Sequence, residues 1–180
     1  MFTQKVLFTK EECNKILSQI EKFEDAQVTH KDGVGRYDKD FRKTKISYLN
    51  SDKVKDVILS KLSSLDNTII SLPKKINILK YNVGDFFKKH QDRSKDGFHL
   101  ERKKTLIIQL SDESYKGGIL KVFQNTSIPY TICSTEIGNT IIFDSGYYHE
   151  VTPMLEGERH ALVGWFEESN LKQNSNIWDG

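Results

Sequence analysis

The sequence is poor in cysteine and has no long hydrophobic run. Cys13 and Cys133 are its only cysteines, they lie far apart, and no C-x-x-C pattern occurs, so neither a disulfide framework nor a cysteine-based zinc site is predicted. No stretch approaches the roughly 20 apolar residues that a membrane-spanning helix needs. Charges interrupt the N-terminal MFTQKVLFTKEEC, where a signal peptide needs a continuous apolar segment. These absences predict a cytoplasmic protein without a membrane anchor.

The chain also lacks a strong charge imbalance. Its formal net charge of +2 over 180 residues is too small to indicate a nucleic-acid-binding protein. The charges are unevenly placed, because residues 31–45 contain six basic and three acidic side chains and residues 88–104 contain seven and three. Residues 144–168 contain one basic and six acidic side chains. The two basic stretches fit either solvated loop faces or loops that attract an anionic ligand.

The length and composition fit one domain. A chain of 180 residues with 37% hydrophobic and 29% charged residues can bury one substantial core. We predict a single domain over residues 1–180, with a helical support region and a loop at 1–72, a β-rich core at 73–168, and a polar tail at 169–180 anchored by Trp178. No internal repeat or low-complexity segment is present.

Two amphipathic helices are predicted before residue 73. The first, in FTKEECNKILSQIEKF, opens with the capping-box residues Thr9 and Glu12, and its apolar spacing continues to Phe23. The second, in SDKVKDVILSKLSSL, begins at Ser51 or Asp52. Each helix has one apolar face, so both are expected to support a sheet.

From residue 73 onward the sequence is typical of β-structure. Short apolar runs separated by turn residues recur, and they are KINILKYNV, KKTLIIQLS, GGILKVFQ, YTICST, NTIIFDS, HEVTPM and RHALVGWFEE. Regularly spaced short strands predict a sandwich or barrel. The predicted fold class is therefore mainly β with N-terminal helices (α+β).

His90 and Asp92 are the first candidate site residues. In an extended strand, positions i and i+2 project to the same face, so these two side chains point together while Gln91 points away. An imidazole nitrogen and a carboxylate oxygen suit a borderline divalent metal such as Fe(II), but a third ligand must come from elsewhere. The alternative is that His90 and Asp92 are an exposed polar pair that binds no metal, because the same His-x-Asp pattern fits both.

Other histidines compete for the position of third ligand. His30 and His99 lie in charged loops that contain glycine, whereas His149 follows an apolar strand in GNTIIFDSGYYHEV. If the strand of His149 lies across the barrel from that of His90, the three side chains form a face of two histidines and one carboxylate. Such a face leaves about three positions of an octahedral ion open, which suits a chelating cosubstrate and dioxygen better than a structural zinc.

An arginine follows His149 by ten residues. In RHALVGWF, strand alternation places Arg159 and Trp165 on one face together with small residues. An arginine on an apolar strand face is costly unless its planar fork meets a carboxylate. That carboxylate belongs either to an anionic ligand or to one of three nearby glutamates, Glu150, Glu156 and Glu158.

These segments together resemble a known family. YNVGDFFKKHQD, GGILKVF and GNTIIFDSGYYHEVTPMLEGERHALVGWF closely resemble the 2-oxoglutarate- and Fe(II)-dependent dioxygenases, and within them the prolyl 4-hydroxylase-like branch. The resemblance spans residues 76–168. It implies a double-stranded β-helix (jelly-roll) with helices packed on the larger sheet, and iron bound by His90, Asp92 and His149.

The resemblance also implies a binding site for 2-oxoglutarate. Arg159 would hold the C5 carboxylate, while the C1 carboxylate and the 2-oxo group chelate the iron. Tyr81 matches a tyrosine that hydrogen-bonds the cosubstrate in relatives, and Trp165 matches an aromatic residue that lines the pocket. Two positions differ from part of the family. Where this chain has Arg159, collagen-type enzymes usually have a lysine. Where it has Gln109, relatives often have a tyrosine.

The expected reaction is the O2-dependent hydroxylation of a prolyl residue in a peptide or protein, with release of succinate and CO2 and with ascorbate as a reductant. The same chemistry on a free amino acid, another small molecule or a nucleic acid also stays open. A nucleic acid is included because Arg36, Tyr37, Phe41 and Arg42 could contact bases or phosphates. An alternative of a different class is a catalytically inert jelly-roll binding module. The loops at residues 31–45 and 93–104 are expected to border the substrate opening.

Overall fold

The computed structural model describes residues 1–30, 32–95, 99–124 and 129–173, so Trp178 lies outside the described residues. These ranges contain two α-helices, α1 (Lys10–Leu17) and α2 (Asp52–Leu65), and a short 3-10 helix, Glu168–Asn170. The strands before residue 50 are β1 (Phe2–Val6), β2 (Glu24–Asp25), β3 (Val28–Thr29), β4 (Gly35–Arg36), β5 (Arg42–Lys43) and β6 (Lys45–Tyr48). The later strands are β7 (Ile76–Tyr81), β8 (Phe86–His90), β9 (Lys104–Gln109), β10 (Lys116–Gly117), β11 (Leu120–Phe123), β12 (Thr131–Ile132), β13 (Asn139–Asp144), β14 (Tyr148–Val151), β15 (Met154–Glu156) and β16 (Arg159–Phe166).

Two antiparallel sheets face each other and enclose a space between them. Within the described residues, the larger sheet has seven strands in the order β1-β13-β9-β16-β7-β6-β2, and the smaller has five in the order β12-β11-β14-β8-β5. The short strands β10 and β15 pair with each other, as do β3 and β4. Both α-helices pack on the outer face of the larger sheet. This is the predicted double-stranded β-helix with helices on its larger sheet.

Alternate residues of the larger sheet belong to two separate apolar cores. In β9, Leu106 and Ile108 pack with the helices, whereas Ile107 packs between the two sheets. In β16, Leu162 packs with the helices and Ala161 faces the smaller sheet. Because successive side chains of a strand point to opposite faces, the same strands support the helical layer and line the interior.

Helix α1 begins with the predicted capping box. The hydroxyl of Thr9 accepts a hydrogen bond from the Glu12 N–H (3.2 Å), and the Glu12 carboxylate accepts one from the Thr9 N–H (2.9 Å). The helix ends at Leu17, whereas the apolar spacing predicts continuation to Phe23. The chain leaves the helix through a tight turn in which the Ile20 N–H donates to the Leu17 carbonyl (3.1 Å). This turn still allows Ile20 and Phe23 to pack against the same core.

Helix α2 starts and ends where the sequence predicts. Its N-cap is Ser51, whose hydroxyl accepts a hydrogen bond from the Val54 N–H (3.4 Å). The buried face of the helix contains Val54, Ile58 and Leu62. Neither α2 nor any other helix in the described ranges is long and apolar enough to cross a membrane.

Strands β1 to β6 were not predicted from the sequence. β1 pairs with β13 at one edge of the larger sheet, and β6 pairs with β7 near the other edge. Their residues are half-buried or exposed, so they lack the apolar alternation that identifies a strand in a sequence. Residues 1–72 therefore contribute strands as well as helices, although the boundaries predicted at residues 72 and 168 stay predictions.

Candidate active site

Strands β8 and β14 bring His90 and His149 side by side. His149 lies opposite His90 and Val151 lies opposite Phe87, so three steps along β8 match two steps along β14. This is a β-bulge, and it places both Phe87 and His90 against the interior while Lys88 stays exposed. The strand of His149 is thus the neighbour of the strand of His90, rather than lying across the barrel as considered from the sequence.

Asp92 completes a cluster with the two histidines. One ligand atom from each of His90, Asp92 and His149 lies within 4.8 Å of the other two. The Nε2 atom of His90 is 3.6 Å from Asp92 Oδ1, and the Nε2 atom of His149 is 3.3 Å from Asp92 Oδ2. His149 and Asp92 are buried, with 4% and 7% of their surfaces exposed. Within the described residues, the three side chains therefore form a compact, largely dry donor set.

Backbone carbonyls fix the protonation of both imidazoles. The Nδ1 atom of His90 lies 2.7 Å from the Lys88 carbonyl oxygen, and Nδ1 of His149 lies 3.1 Å from the Tyr147 carbonyl oxygen. A carbonyl oxygen can only accept a hydrogen bond, so each Nδ1 carries a proton and donates it. In a neutral ring the other nitrogen, Nε2, then presents its lone pair, and in both residues that atom faces Asp92.

The three groups shift each other's protonation. Burial alone would raise the pKa of Asp92, but the neighbouring His149 and His90 lower that pKa well below its usual value. Burial tends to lower the pKa of His149, yet the Asp92 carboxylate raises it above the ordinary value. The pKa of His90 is lowered by burial and by the neighbouring His149. The cluster thus holds an ionised carboxylate between two imidazoles.

Thr105 and Ser145 orient the Asp92 carboxylate. The Thr105 hydroxyl donates to Asp92 Oδ2 (2.8 Å) and lies 3.0 Å from the Ser145 hydroxyl, while the Asp92 N–H donates to the Ser145 carbonyl (3.1 Å). Thr105 was not among the candidates from the sequence. Its signal was strand alternation in KKTLIIQL, which places it on the same face as Gln109.

A cavity of about 450 Å³ lies between the two sheets and contains the cluster. Its lining includes Tyr81, Arg159 and Trp165, all of which are candidates from the sequence. His30 and His99 also line it but are not part of the His90, Asp92 and His149 cluster. Gln109 is not in the lining, yet it reaches the cavity indirectly by contacting Arg159.

Arg159 is buried and has no carboxylate partner among the described residues. Only 1% of its surface is exposed, and its Nε atom donates to the side-chain oxygen of Gln109 (3.0 Å). Its guanidinium carbon lies 5.1 Å from the centre of the Tyr81 ring. No ion pair between described residues includes Arg159, because the three nearby glutamates pair with lysines instead: Glu150 with Lys121, Glu156 with Lys116 and Glu158 with Lys80. The internal-pair alternative is therefore ruled out within the described chain.

Two more polar groups near Arg159 lack partners among the described residues. They are the side-chain nitrogen of Gln109 and the hydroxyl of Tyr115, which are both buried. Tyr115 was not predicted as a site residue, and its pKa is raised by burial although the charge of Arg159 opposes that rise. An unpaired buried polar group is costly, so this part of the molecule is suited to a polar ligand.

Gly118 provides room for Arg159. The residue has a φ of +59°, and a Cβ atom there would lie 2.3 Å from the sulfur of Met154 and 3.3 Å from Cδ of Arg159. Both the left-handed backbone and the close contacts require glycine. The Gly-Gly pair quoted in the resemblance thus has a steric role beside the arginine.

Comparison with known proteins identifies the family. Residues 76–167 match the family model described as the 2OG-Fe(II) oxygenase superfamily, and this segment covers half of the chain and holds the whole histidine and aspartate cluster. The chain belongs to the 2OG-Fe(II) oxygenase superfamily. Its cofactor is therefore Fe(II), with 2-oxoglutarate and O2 as cosubstrates, and the expected placement near the prolyl 4-hydroxylase-like branch is confirmed.

Relatives and solved structures resemble this oxygenase over most of its length. A PKHD-type hydroxylase from Rippkaea orientalis and another from Prochlorococcus marinus are each 27% identical over 173 residues, covering 89% of this chain and 75% of theirs. A prolyl-4-hydroxylase from Pseudomonas putida has a TM-score of 0.72 at 19% identity, covering 92% of this chain and 91% of its own. A Trichoplax adhaerens prolyl hydroxylase, solved with a hypoxia inducible factor peptide, has a TM-score of 0.72 at 18% identity, covering 94% and 84%. The likeness to the solved structures shows the shared fold.

Proposed function

We propose that this oxygenase hydroxylates a prolyl residue in a peptide or protein, with His90, Asp92 and His149 as the ligands of Fe(II). The observation that carries the proposal is the convergence of two imidazole Nε2 atoms on one ionised carboxylate in a buried cavity. Two histidines and one carboxylate supply three ligands, so about three positions of an octahedral iron stay open. When bound, Fe(II) allows O2 and 2-oxoglutarate to convert a substrate C–H bond into C–OH, with release of succinate and CO2.

The chain's own residues would bind and orient the cosubstrate. The Arg159 fork would pair with the C5 carboxylate of 2-oxoglutarate, because it is a buried cation without an acidic partner among the described residues. Gln109 would hold that fork in place through Nε, and its own unpaired side-chain N–H would donate to the ligand. The Tyr81 hydroxyl, whose pKa is raised by burial, would stay protonated and donate a hydrogen bond. Trp165 would exclude water from the cavity wall.

The relatives support the prolyl substrate. Two of the structures with the same fold are prolyl hydroxylases, and one of them was solved with a peptide. A free amino acid is the second candidate, because a cavity of about 450 Å³ is large enough for a small molecule. An inert binding module is disfavoured by an unpaired buried arginine beside a complete donor set. Ascorbate as a reductant and a cytoplasmic location stay predictions.

The metal and cosubstrate roles predict a spectroscopic signal. Anaerobic addition of Fe(II) and 2-oxoglutarate to the protein should give a weak metal-to-ligand absorption band in the visible range, because the cosubstrate chelates the iron. Under air with Fe(II), 2-oxoglutarate and ascorbate, succinate should form and rise further with a prolyl peptide. Free proline and an oligonucleotide are tested separately as alternative substrates. A protein that binds Fe(II) but gives neither band nor succinate would be the inert module.

Replacing Thr105 with valine should weaken iron binding. The change removes the hydroxyl that donates to Asp92 Oδ2, so the proposed ligand loses the group that orients it. Loss of such a supporting hydrogen bond typically lowers metal affinity by about 10- to 100-fold. The measurement is Fe(II) titration followed by the absorption band at saturating 2-oxoglutarate.

Thr140→Val is the matched control for this prediction. Thr140 is also a fully buried threonine of the larger sheet, but its hydroxyl donates to the Gly138 carbonyl rather than to a site residue. It should retain the iron affinity of the unmodified protein. Equal iron affinity in the Thr105 and Thr140 variants would contradict the positioning role.

A further inference from the structure

Two arginines of the cavity lining, Arg42 and Arg102, have no acidic partner within 4 Å among the described residues. Both line the cavity and are half-buried. Other basic residues of the same two stretches are neutralised by carboxylates: Arg36 by Asp32, Lys39 and Lys45 by Asp25, Lys43 by Asp85, Arg93 by Asp144, Lys103 by Glu168 and Lys104 by Asp66. Lys88, Lys89 and Lys95 also have no ion pair among the described residues, but their side chains are exposed. Arg42 and Arg102 are thus the described basic residues of these stretches that are partly buried in the cavity lining without a carboxylate.

The contacts of Arg42 hold it close to the proposed iron site. Its guanidinium lies over the Phe87 ring, 4.5 Å from the ring centre, and that ring stacks on the imidazole of His90 at 3.6 Å. Its Nε atom donates to the Thr44 hydroxyl (2.9 Å) and Nη1 donates to the Gln27 carbonyl (3.0 Å). All of these contacts are with neutral groups, so they position the cation without neutralising it.

Arg102 approaches the site from the other sheet. Its guanidinium lies 3.7 Å from the centre of the Trp165 ring, and Nη1 donates to the Asp92 carbonyl (3.4 Å). The indole N–H of Trp165 and the side-chain oxygen of Asn77 line the same cavity and have no partner among the described residues. Both guanidinium groups are partly removed from water, and this burial lowers the pKa of Arg102 and of Arg42.

The negative charges at a site occupied by Fe(II) and 2-oxoglutarate do not balance the positive charges of these two arginines. Under the proposed function, Fe(II) and Arg159 together carry three positive charges, which are balanced by the two carboxylates of 2-oxoglutarate and by Asp92. Among the described acidic residues that line the cavity, Asp92 is assigned to the metal, and Asp38 accepts hydrogen bonds from the backbone N–H groups of Asp40 and Phe41. Beyond this balance, the described lining carries the two positive charges of Arg42 and Arg102 against the one negative charge of Asp38, so a net positive charge remains. Removing a cation from water is costly, so a carboxylate or an equivalent anion that meets both arginines would stabilise them further.

We propose that the substrate carries a carboxylate close to the carbon that is oxidised, and that Arg42 and Arg102 bind this carboxylate. The inference rests on the proposed function and adds the charge class of its substrate. The Trp165 indole donates a further hydrogen bond to the same anion, and the unpaired Asn77 oxygen accepts one from a substrate N–H. In a peptide, an aspartate or glutamate next to the target residue supplies this carboxylate. In a free amino acid, the α-carboxylate supplies it.

The test compares substrates that differ only in charge. Three acetylated and amidated pentapeptides have a central proline flanked on both sides by aspartate, asparagine or lysine, and free L-proline is compared with L-prolinamide. Succinate release above the rate without substrate is measured against the concentration of each probe. The aspartate peptide should be preferred over the asparagine peptide by about 10- to 100-fold in kcat/KM, which is typical of a charge-assisted hydrogen bond. A preference seen only for free proline over prolinamide identifies the amino acid as the source.

Arg42→Gln and Arg102→Gln should remove this preference mainly by raising the KM for the acidic probe, with the KM for 2-oxoglutarate unchanged. Lys43→Gln and Lys103→Gln are matched controls, because each changes the net charge equally at the adjacent residue and breaks only an ion pair with Asp85 or Glu168. Thermal unfolding and succinate release without substrate verify that each variant is folded and loaded.

Absence of a preference for the acidic probes, or a preference that the two arginine variants retain, overturns the inference. A rise in the KM for 2-oxoglutarate in the Arg42 variant also overturns it, since the residue would then belong to the cosubstrate site. Failure of the proposed function itself looks different. In that case the unmodified protein gives no absorption band and no succinate, whereas failure of this inference alone leaves both signals intact.

Discussion

Replacing Asp92 with asparagine should abolish succinate release while the protein remains folded. The side chain keeps its shape, and its oxygen can still accept the hydrogen bond from Thr105. It loses the negative charge that lies 3.3 Å from His149 Nε2 and 3.6 Å from His90 Nε2. A neutral amide beside two imidazoles is a poor set of ligands for Fe(II), which prefers a carboxylate in this position. The loss should therefore occur at metal binding.

The measurement has two parts. Fe(II) titration at saturating 2-oxoglutarate should show no absorption band, and succinate release should fall to the level of the iron-free protein. Lys88→Ala is the control on strand β8, because Lys88 is two residues from His90 but its side chain is exposed. It should retain full activity. An Asp92→Asn protein that still turned over would show that the iron is held elsewhere.

Replacing Arg159 with alanine should weaken the binding of 2-oxoglutarate without removing the iron. The guanidinium is 1% exposed, so its loss would leave one carboxylate of the cosubstrate buried without a partner. Breaking a buried ion pair on one side costs about 3–5 kcal/mol. That free energy corresponds to about 10²-fold or more in apparent affinity. The absorption band should still form, but only at much higher 2-oxoglutarate concentration.

Arg159→Lys separates charge from geometry in this prediction. Lysine keeps the positive charge but cannot form two parallel hydrogen bonds to a carboxylate, nor the contact between Nε and Gln109. Its affinity for 2-oxoglutarate should lie between those of the unmodified protein and the alanine variant. Unchanged 2-oxoglutarate affinity in Arg159→Ala would place the distal carboxylate elsewhere in the protein.

The fold and the family were accessible from the sequence because their signals are local. A capping box, a run of short strands and a His-x-Asp motif each extend over a few residues. The side chains that converge in the cavity, His90, Asp92 and His149, were all candidates for the same reason. Strand alternation in β16 likewise placed Arg159 and Trp165 on one face, and both line the cavity.

Features that depend on distant pairing were not accessible. The bulge in β8 exists only relative to β14, so strand alternation alone could not predict that Phe87 and His90 share a face. The edge strand β1 is defined by its pairing with β13 and not by apolar spacing. Thr105 looked like an ordinary strand residue, because its hydrogen bond to Asp92 connects positions on different elements. Arg42 and Arg102 stood within two basic stretches, and only the tertiary structure separates them from their neutralised neighbours.

The alternation in the larger sheet also limits how this protein can evolve. In β7, β9, β13 and β16, odd-numbered residues such as Tyr81, Gln109 and Arg159 face the interior, while even-numbered residues such as Ile78 and Leu162 pack under the helices. Point changes at odd positions can alter specificity while the helical layer is untouched. A single inserted residue in any of these strands would exchange the two faces and bury the arginine beneath the helices. Descendants of this sequence can therefore vary in these strands by substitution, whereas insertions are confined to the loops between them.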